Sequence, residues 1–242
     1  MILAYLDETV QESNSYVVIA GHVGHESLWP DFVTAWMQAL GPQRKRLHIK
    51  DLRFSKERDK ELLARLGPIP TRCGLKRLIG GARVSDYEDL IPDPLRKLMG
   101  GYIAALFVSV LNLLLSLPED ERVELVFEQQ DRFETYARIA LSAIANLPVP
   151  RTKGKDGSSK LAKWRFVPKD RTIQLDQADY LCYAQLQRLR NPSSKKAQWC
   201  SPIIDATGET IGGMLSRDNV RKAVIDGARR YLLFEVNPNV QI

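Results

Sequence analysis

Carboxylates stand where the pattern of the chain changes. Asp7 and Glu8 end the apolar run "MILAYL", Glu128 ends "VELVF", and Asp176 and Asp179 open the helical stretch "LDQADYLCYA". Hard divalent cations prefer carboxylate and water oxygens, and a pair of them clamps the attacking and leaving oxygens of a phosphodiester. Carboxylates crowded without a cation repel one another and disturb each other's ionisation. The residue types therefore point either to a Mg²⁺ or Mn²⁺ site built from Asp7, Glu128 and Asp179, or to solvated strand-end charge, because 29 acidic residues put some at strand ends by chance. Asp176, three residues before Asp179, shares its helical face and either adds a ligand or makes that face more acidic. In regular strand Glu8 points away from Asp7, which suits a supporting or capping role. His48 in "RLHIKDL" is either a proton carrier or substrate contact beside such a site, or an exposed loop histidine.

These residues need elements to hold them. Ile2–Leu6 and Tyr16–His22 are short β-branched, apolar runs separated by "ETVQESNS", a pattern that predicts two antiparallel strands, with His22 and His25 at the end of the second. Helical spacing follows from Leu28 to Leu40 and again from Lys56 to Leu66, where Ser55 suits a cap and Gly67-Pro68 a stop. Leu75–Val84 reads as a third strand bent at Gly80 and Gly81, Pro94–Leu117 as a long apolar helix, "RVELVF" as a fourth strand, and Arg132–Asn146 as a helix. "KWRFVP" is a short fifth strand and Leu175–Leu189 another helix. Beyond about residue 191 the pattern is less regular, with a helical stretch near Asn219–Ala228 and a strand-like "YLLFEV". The order β-β-α-α-β-α-β-α-β-α predicts an α/β fold in one domain spanning 1–242. Its mixed sheet is antiparallel in the first strands and parallel in the later ones, with helices on both faces. Ligand sites of such sheets gather at the carboxyl ends of strands, which is where Asp7 and Glu128 fall.

The formal charge of +6, from 35 basic and 29 acidic residues, tilts the chain mildly towards polyanionic partners. "QRKR" at Gln43–Arg46 and the segment Arg151–Arg165, with Lys153, Lys155, Lys160, Lys163 and Arg165, either hold nucleic-acid phosphates or form solvated faces; Lys195 and Lys196 are further basic candidates. Trp164 is a stacking surface or a core residue. "PVPRTKGKDGSSKLAK" has the composition of a flexible loop. Cys73, Cys182 and Cys200 are widely spaced and show no zinc or disulfide pattern, which fits a reducing cytoplasm, and the N-terminus lacks the features of a signal peptide. Met99–Leu117 is long enough to cross a bilayer, but Ser109, Asn112 and Ser116 within it make it a buried core helix, with no membrane partner. "LIGGAR" lacks the spacing of a phosphate loop, and no nucleophile elbow is present.

"YLDET" followed by "YVVIAGHV", then "RLHIKDL", then "LDQADYLCYA" resemble, in order and over roughly residues 1–190, the segments of the domain of unknown function 3800 family. The resemblance implies a ribonuclease H-like fold. It makes Asp7 the first-strand metal ligand and Asp179 the late-helix ligand, with Glu128 where the family carries an acid and Asp131 near enough to replace it. Thr9 keeps the hydroxyl of the family serine, whereas Val10 stands for its glycine and Asp176 for its glutamine. The implied activity is that of a nuclease, a hydrolase cutting DNA or RNA with Mg²⁺ or Mn²⁺, of the kind found near mobile elements or defence genes. The alternative is a non-catalytic module of the same fold that binds nucleic acid or a protein partner.

Overall fold

The computed structural model describes residues 1–10, 16–85, 101–129, 134–215 and 218. Strand β1 (Ile2–Val10) pairs antiparallel with β2 (Tyr16–His25), from Ile2 opposite His25 to Val10 opposite Val17. Strand β3 (Lys76–Arg83) continues the antiparallel pairing on β2. On the other side of β1, β4 (Val123–Glu128) runs parallel to it, and β5 (Leu161–Val167) runs parallel to β4. A sixth strand, β6 (Thr210–Leu215), pairs parallel with β3, giving the order β5-β4-β1-β2-β3-β6. The mixed sheet expected from the order of apolar runs is therefore present, with every strand except β2 pointing the same way.

Helices cover both faces, as the alternation in the strands requires. Helices α1 (Trp29–Leu40), α2 (Glu57–Leu66), α6 (Leu175–Arg190) and α7 (Lys195–Asp205) pack Phe32, Trp36, Leu63, Tyr180 and Ile203 against Tyr5, Val18, Ala20, Ile79 and Val126. A short α3 (Ile69–Arg72) leads into β3. Helices α4 (Gly101–Ser116) and α5 (Glu134–Ala145) pack Leu106, Val110, Leu113 and Leu141 against Ala4, Leu6, Ile19, Leu125 and Phe127 on the opposite face. Among the described residues no helix is long and apolar enough to cross a membrane. The uniformly apolar α4 is a core helix.

Several expectations change. The first strand does not stop at Asp7 but continues to Val10, so both acids lie inside it and Val10 occupies a paired strand position rather than a turn. Helix α2 begins at Glu57 without a cap from Ser55. The chain stays regular past residue 191, through α7 and β6, to Leu215. The "PVPRTKGKDGSSKLAK" segment is fixed as a hydrogen-bonded hairpin: Lys160 N donates to Thr152 O (2.9 Å), Gly154 N to Ser158 O (2.8 Å), and the Arg122 guanidinium to Asp156 Oδ1 (2.6 Å) and Ser158 Oγ (2.9 Å). The expected starts of the third and fourth main helices, the Asn219–Ala228 helix and "YLLFEV" lie outside the described residues.

Gly80 does not bend β3; the strand keeps its register with β2 and β6 through it. The glycine is there because α4 crosses closely: a Cβ at residue 80 would lie 1.7 Å from Ser109 Oγ and 3.0 Å from its Cα. Gly80→Ala must therefore push α4 off the sheet, and we expect a loss of about 1–3 kcal/mol of stability, read as a lower denaturation midpoint in urea.

Candidate active site

The parallel ladder between β1 and β4 ends at Leu6 opposite Phe127. One residue further on each strand come Asp7 and Glu128, on adjacent strands spaced about 4.8 Å apart. Strand alternation puts both on the α6 face, because Tyr5 and Val126, two residues earlier, belong to that core. Asp7 is buried and Glu128 half-buried. Asp7 Oδ1 accepts a hydrogen bond from the Glu8 amide (2.8 Å). Glu8 itself lies on the opposite face, towards α4, where burial drives the Tyr102 hydroxyl well above the usual tyrosine range, with Glu8 and, more weakly, Asp7 adding to the shift.

Helix α6 is seated on the same strands by two polar side chains. Gln177 Nε2 donates to Tyr5 O (3.3 Å). The Cys182 thiol donates to Asp7 O (3.0 Å) and accepts from Ala20 N (3.1 Å), across the Asp7–Ala20 pair. Burial pushes this thiol far up, and Asp7, Glu8 and Asp179 add to the push, so the three carboxylates share its electrostatic surroundings. Asp179 stands one turn before Cys182 on the flank of the helix, half-exposed, and its Oδ2 accepts from Ile49 N (3.3 Å) with His48 Nδ1 at 3.7 Å. The β1–β4 register thus sets Asp7 and Glu128 side by side at the ends of neighbouring strands, while Asp179 lies on the flank of α6 against Ile49 and His48.

Asp176 has a different task. It is fully buried, its Oδ1 accepts from Arg46 Nε (2.7 Å), and its Oδ2 accepts from Leu47 N (2.7 Å). Burial raises its pKa, and Arg46 and the Leu47 amide pull it back. Buried Asp59 acts likewise, accepting from Arg44 Nη2 (2.9 Å) and Arg53 N (2.9 Å). The "QRKR" arginines are therefore turned inward to fasten residues 44–53, Arg46 to α6 through Asp176 and Arg44 to α2 through Asp59, rather than presented to phosphates. We expect Arg46→Ala to cost about 3–5 kcal/mol, because it strands a buried carboxylate, and its denaturation midpoint to fall accordingly.

The basic candidates divide as well. Lys160 is buried and its Nζ donates to Leu117 O (2.7 Å) and Leu114 O (3.4 Å), closing the C-terminal end of α4. Lys153 Nζ donates to Ala145 O (3.0 Å) at the end of α5. Cations are favoured at those carbonyl-rich ends, so both lysines serve helix termination and not a ligand. Lys155, Lys163 and Arg165 are exposed; Arg165 Nε donates to Glu124 Oε1 (2.6 Å), with Lys163 Nζ 4.0 Å from the same oxygen. Trp164 packs with the α4–α5 core. Asp131 lies outside the described residues.

The sequence pattern gave no structural role to Gln177, Asp59 or Cys182, and it set His22 at the end of the second strand. His22 ends no strand: it is buried in mid-β2, bonds through Nδ1 to Gln177 Oε1, and leaves Nε2 without a partner among the described residues. Burial lowers its pKa from 6.5 to about 4, against the opposing Gln177 contact and with help from Arg77. Between those two values the unfolded chain holds a proton that the folded chain lacks, so stability must fall as the pH drops from about 6.5 towards 4. The expected loss is on the order of 3 kcal/mol by urea denaturation at successive pH values, and His22→Asn should flatten that slope.

The donor set of Asp7, Glu128 and Asp179 is all oxygen, which suits Mg²⁺ or Mn²⁺. Among the described residues, no group of three or more His, Cys, Asp or Glu side chains is gathered tightly enough to enclose a metal ion alone. Mg²⁺ does not demand such a cage; it is commonly held by one or two carboxylates, with water and substrate phosphates completing its shell. Set against known proteins, the chain matches no family model and no curated protein.

Proposed function

We propose that the chain is a divalent-metal-dependent nuclease of ribonuclease H-like architecture, hydrolysing phosphodiester bonds in DNA or RNA. The observation that carries this reading is the position of Asp7 and Glu128, each one residue beyond the Leu6–Phe127 end of the β1–β4 parallel ladder and on the α6 face of the sheet; Asp179 of α6 is the third carboxylate of the proposal. Three antiparallel strands followed by two parallel ones, with helices on both faces, fit the architecture implied by the resemblance to the domain of unknown function 3800 family. The order of "YLDET", "RLHIKDL" and "LDQADYLCYA" supports membership.

Asp7 and Glu128 would hold the cation, with Asp179 as the third carboxylate. The bound cation supplies Lewis-acid polarisation of the phosphodiester and activation of water. The chain's own contribution is rigidity. Asp7 is fixed in a strand paired on both sides and tied to α6 through Cys182, so its carboxylate needs little reordering to meet a cation. His48, 3.7 Å from Asp179, is the side chain poised to move a proton at that edge.

Purified protein with Mn²⁺ should cut single-stranded, duplex or hybrid nucleic acid. Asp7→Asn and Glu128→Gln should each lower the rate by a hundredfold or more, about 3 kcal/mol of barrier, with an unchanged circular dichroism spectrum. Nucleic-acid binding that survives Asp7→Asn without any metal-dependent cleavage by the wild type would instead select the non-catalytic module.

A further inference from the structure

We infer that the flank of α6 beyond Asp179 continues into a binding surface for single-stranded nucleic acid, formed by Lys60, Lys195 and Lys196 around the half-buried rings of Phe54 and Tyr183, with the buried Trp199 supporting them from beneath. This surface takes the place of the 151–165 segment as the main contact, and it rests on the nuclease reading only for the identity of the polymer.

The residues adjoin through α6. Asp179 and Tyr183 are four apart, hence one turn along the same side of the helix. The segment that receives Asp179 at Ile49 runs on to Phe54, whose ring stacks on Tyr183 with centroids 5.7 Å apart, while Trp199 of α7 lies against Phe54 at 6.0 Å. Three ammonium groups are held over these rings: Lys195 Nζ at 4.7 Å and Lys60 Nζ at 6.0 Å from the Trp199 centroid, and Lys196 Nζ at 5.7 Å from that of Phe54. Lys60 shares its charge with Glu57 (2.8 Å), so Lys195 and Lys196 carry most of the free charge. Ring contacts of this kind fix long, otherwise mobile cations in place.

Folding does not ask for these two lysines. They occupy the first turn of α7, which contains no acid, and cations at the positive end of a helix destabilise it. A local rule broken at the surface, beside half-buried Phe54 and Tyr183, is the pattern of a functional contact. Ammonium groups interleaved with aromatic rings match what a single strand offers, phosphates along its backbone and bases free to meet the rings. An acidic protein would use the charges and leave the rings idle. The lysines of the hairpin segment, by contrast, are partly consumed: Lys153 and Lys160 close helix ends, and Lys163 and Arg165 share Glu124.

The test is fluorescence anisotropy of a labelled oligothymidylate in EDTA, over a range of salt concentrations, so that no cleavage intervenes. Lys195→Glu/Lys196→Glu should weaken binding about tenfold or more and reduce the slope of log affinity against log salt by about two, whereas Lys155→Glu/Lys163→Glu should change affinity by less than about twofold. Acids in the first turn of α7 favour that helix, so the first variant should remain folded by thermal melting, and Lys195→Gln/Lys196→Gln, expected to be intermediate, guards against a folding defect. The inference is overturned if wild type does not bind, if Lys195→Glu/Lys196→Glu binds as wild type or loses no more than the hairpin variant, or if polyglutamate displaces the probe as well as unlabelled oligothymidylate does. Lysine-dependent binding without cleavage by wild type would sink the nuclease and spare the surface; cleavage with lysine-independent binding would do the reverse.

Discussion

The seat of α6 on the β1–β2 pair is the contact on which the rest of the molecule depends. A helix lying on a sheet normally meets main-chain groups already paired within the sheet. Here the Cys182 thiol reaches Asp7 O of β1 and Ala20 N of β2, and the Gln177 amide reaches Tyr5 O, over one short stretch of the β1–β2 pair. Those contacts set the height and direction of α6 above the strand that carries Asp7. They also determine where the flank of α6 falls, and so where residues 44–54 lie.

That dependence explains why acids of one helix behave so differently. Asp176 and Asp179 share a face, yet one is sealed against Arg46 while the other stays half-open beside His48. The sealed acid, with Asp59, holds the basic loop in place; the open one remains available at the edge. A charged residue in this protein thus serves either the fold or the site according to how deeply the loop covers it. The lysines follow the same division, with Lys153 and Lys160 drawn under helix ends and Lys195 and Lys196 left on the outside.

Much of this was legible in the amino-acid order. The continuous apolar runs "ILAYL" and "VVIAGHV", the predominantly apolar α4, and the sequence of strand and helix signals specify the sheet and its two covered faces, because a strand buried on both faces is a local pattern. The alignment of Asp7 with Glu128 was readable as far as both follow neighbouring apolar runs. What could not be read were the long-range pairings. Arg46 lies 130 residues from Asp176 and Lys160 lies 43 from Leu117, and nothing local distinguishes an arginine destined for a buried carboxylate from one destined for solvent. β6 was missed because "TIGGML" has too short an apolar run to outweigh its glycines, and it is recruited by the open side of β3.

The two margins of the sheet differ in a way that bears on self-association. An unpaired strand edge is a template for a neighbouring chain. On β5 that edge is guarded by exposed Lys163 and Arg165 and by a register shift against β4 between Val123 and Glu124, so a second copy would bring like charges together along a locally irregular ladder. On β6 the guard is conformational: Gly212, at φ +84°, breaks the extended pleat in mid-strand. Among the described residues, the mixed sheet is thus bounded by like charges at one border and by backbone geometry at the other.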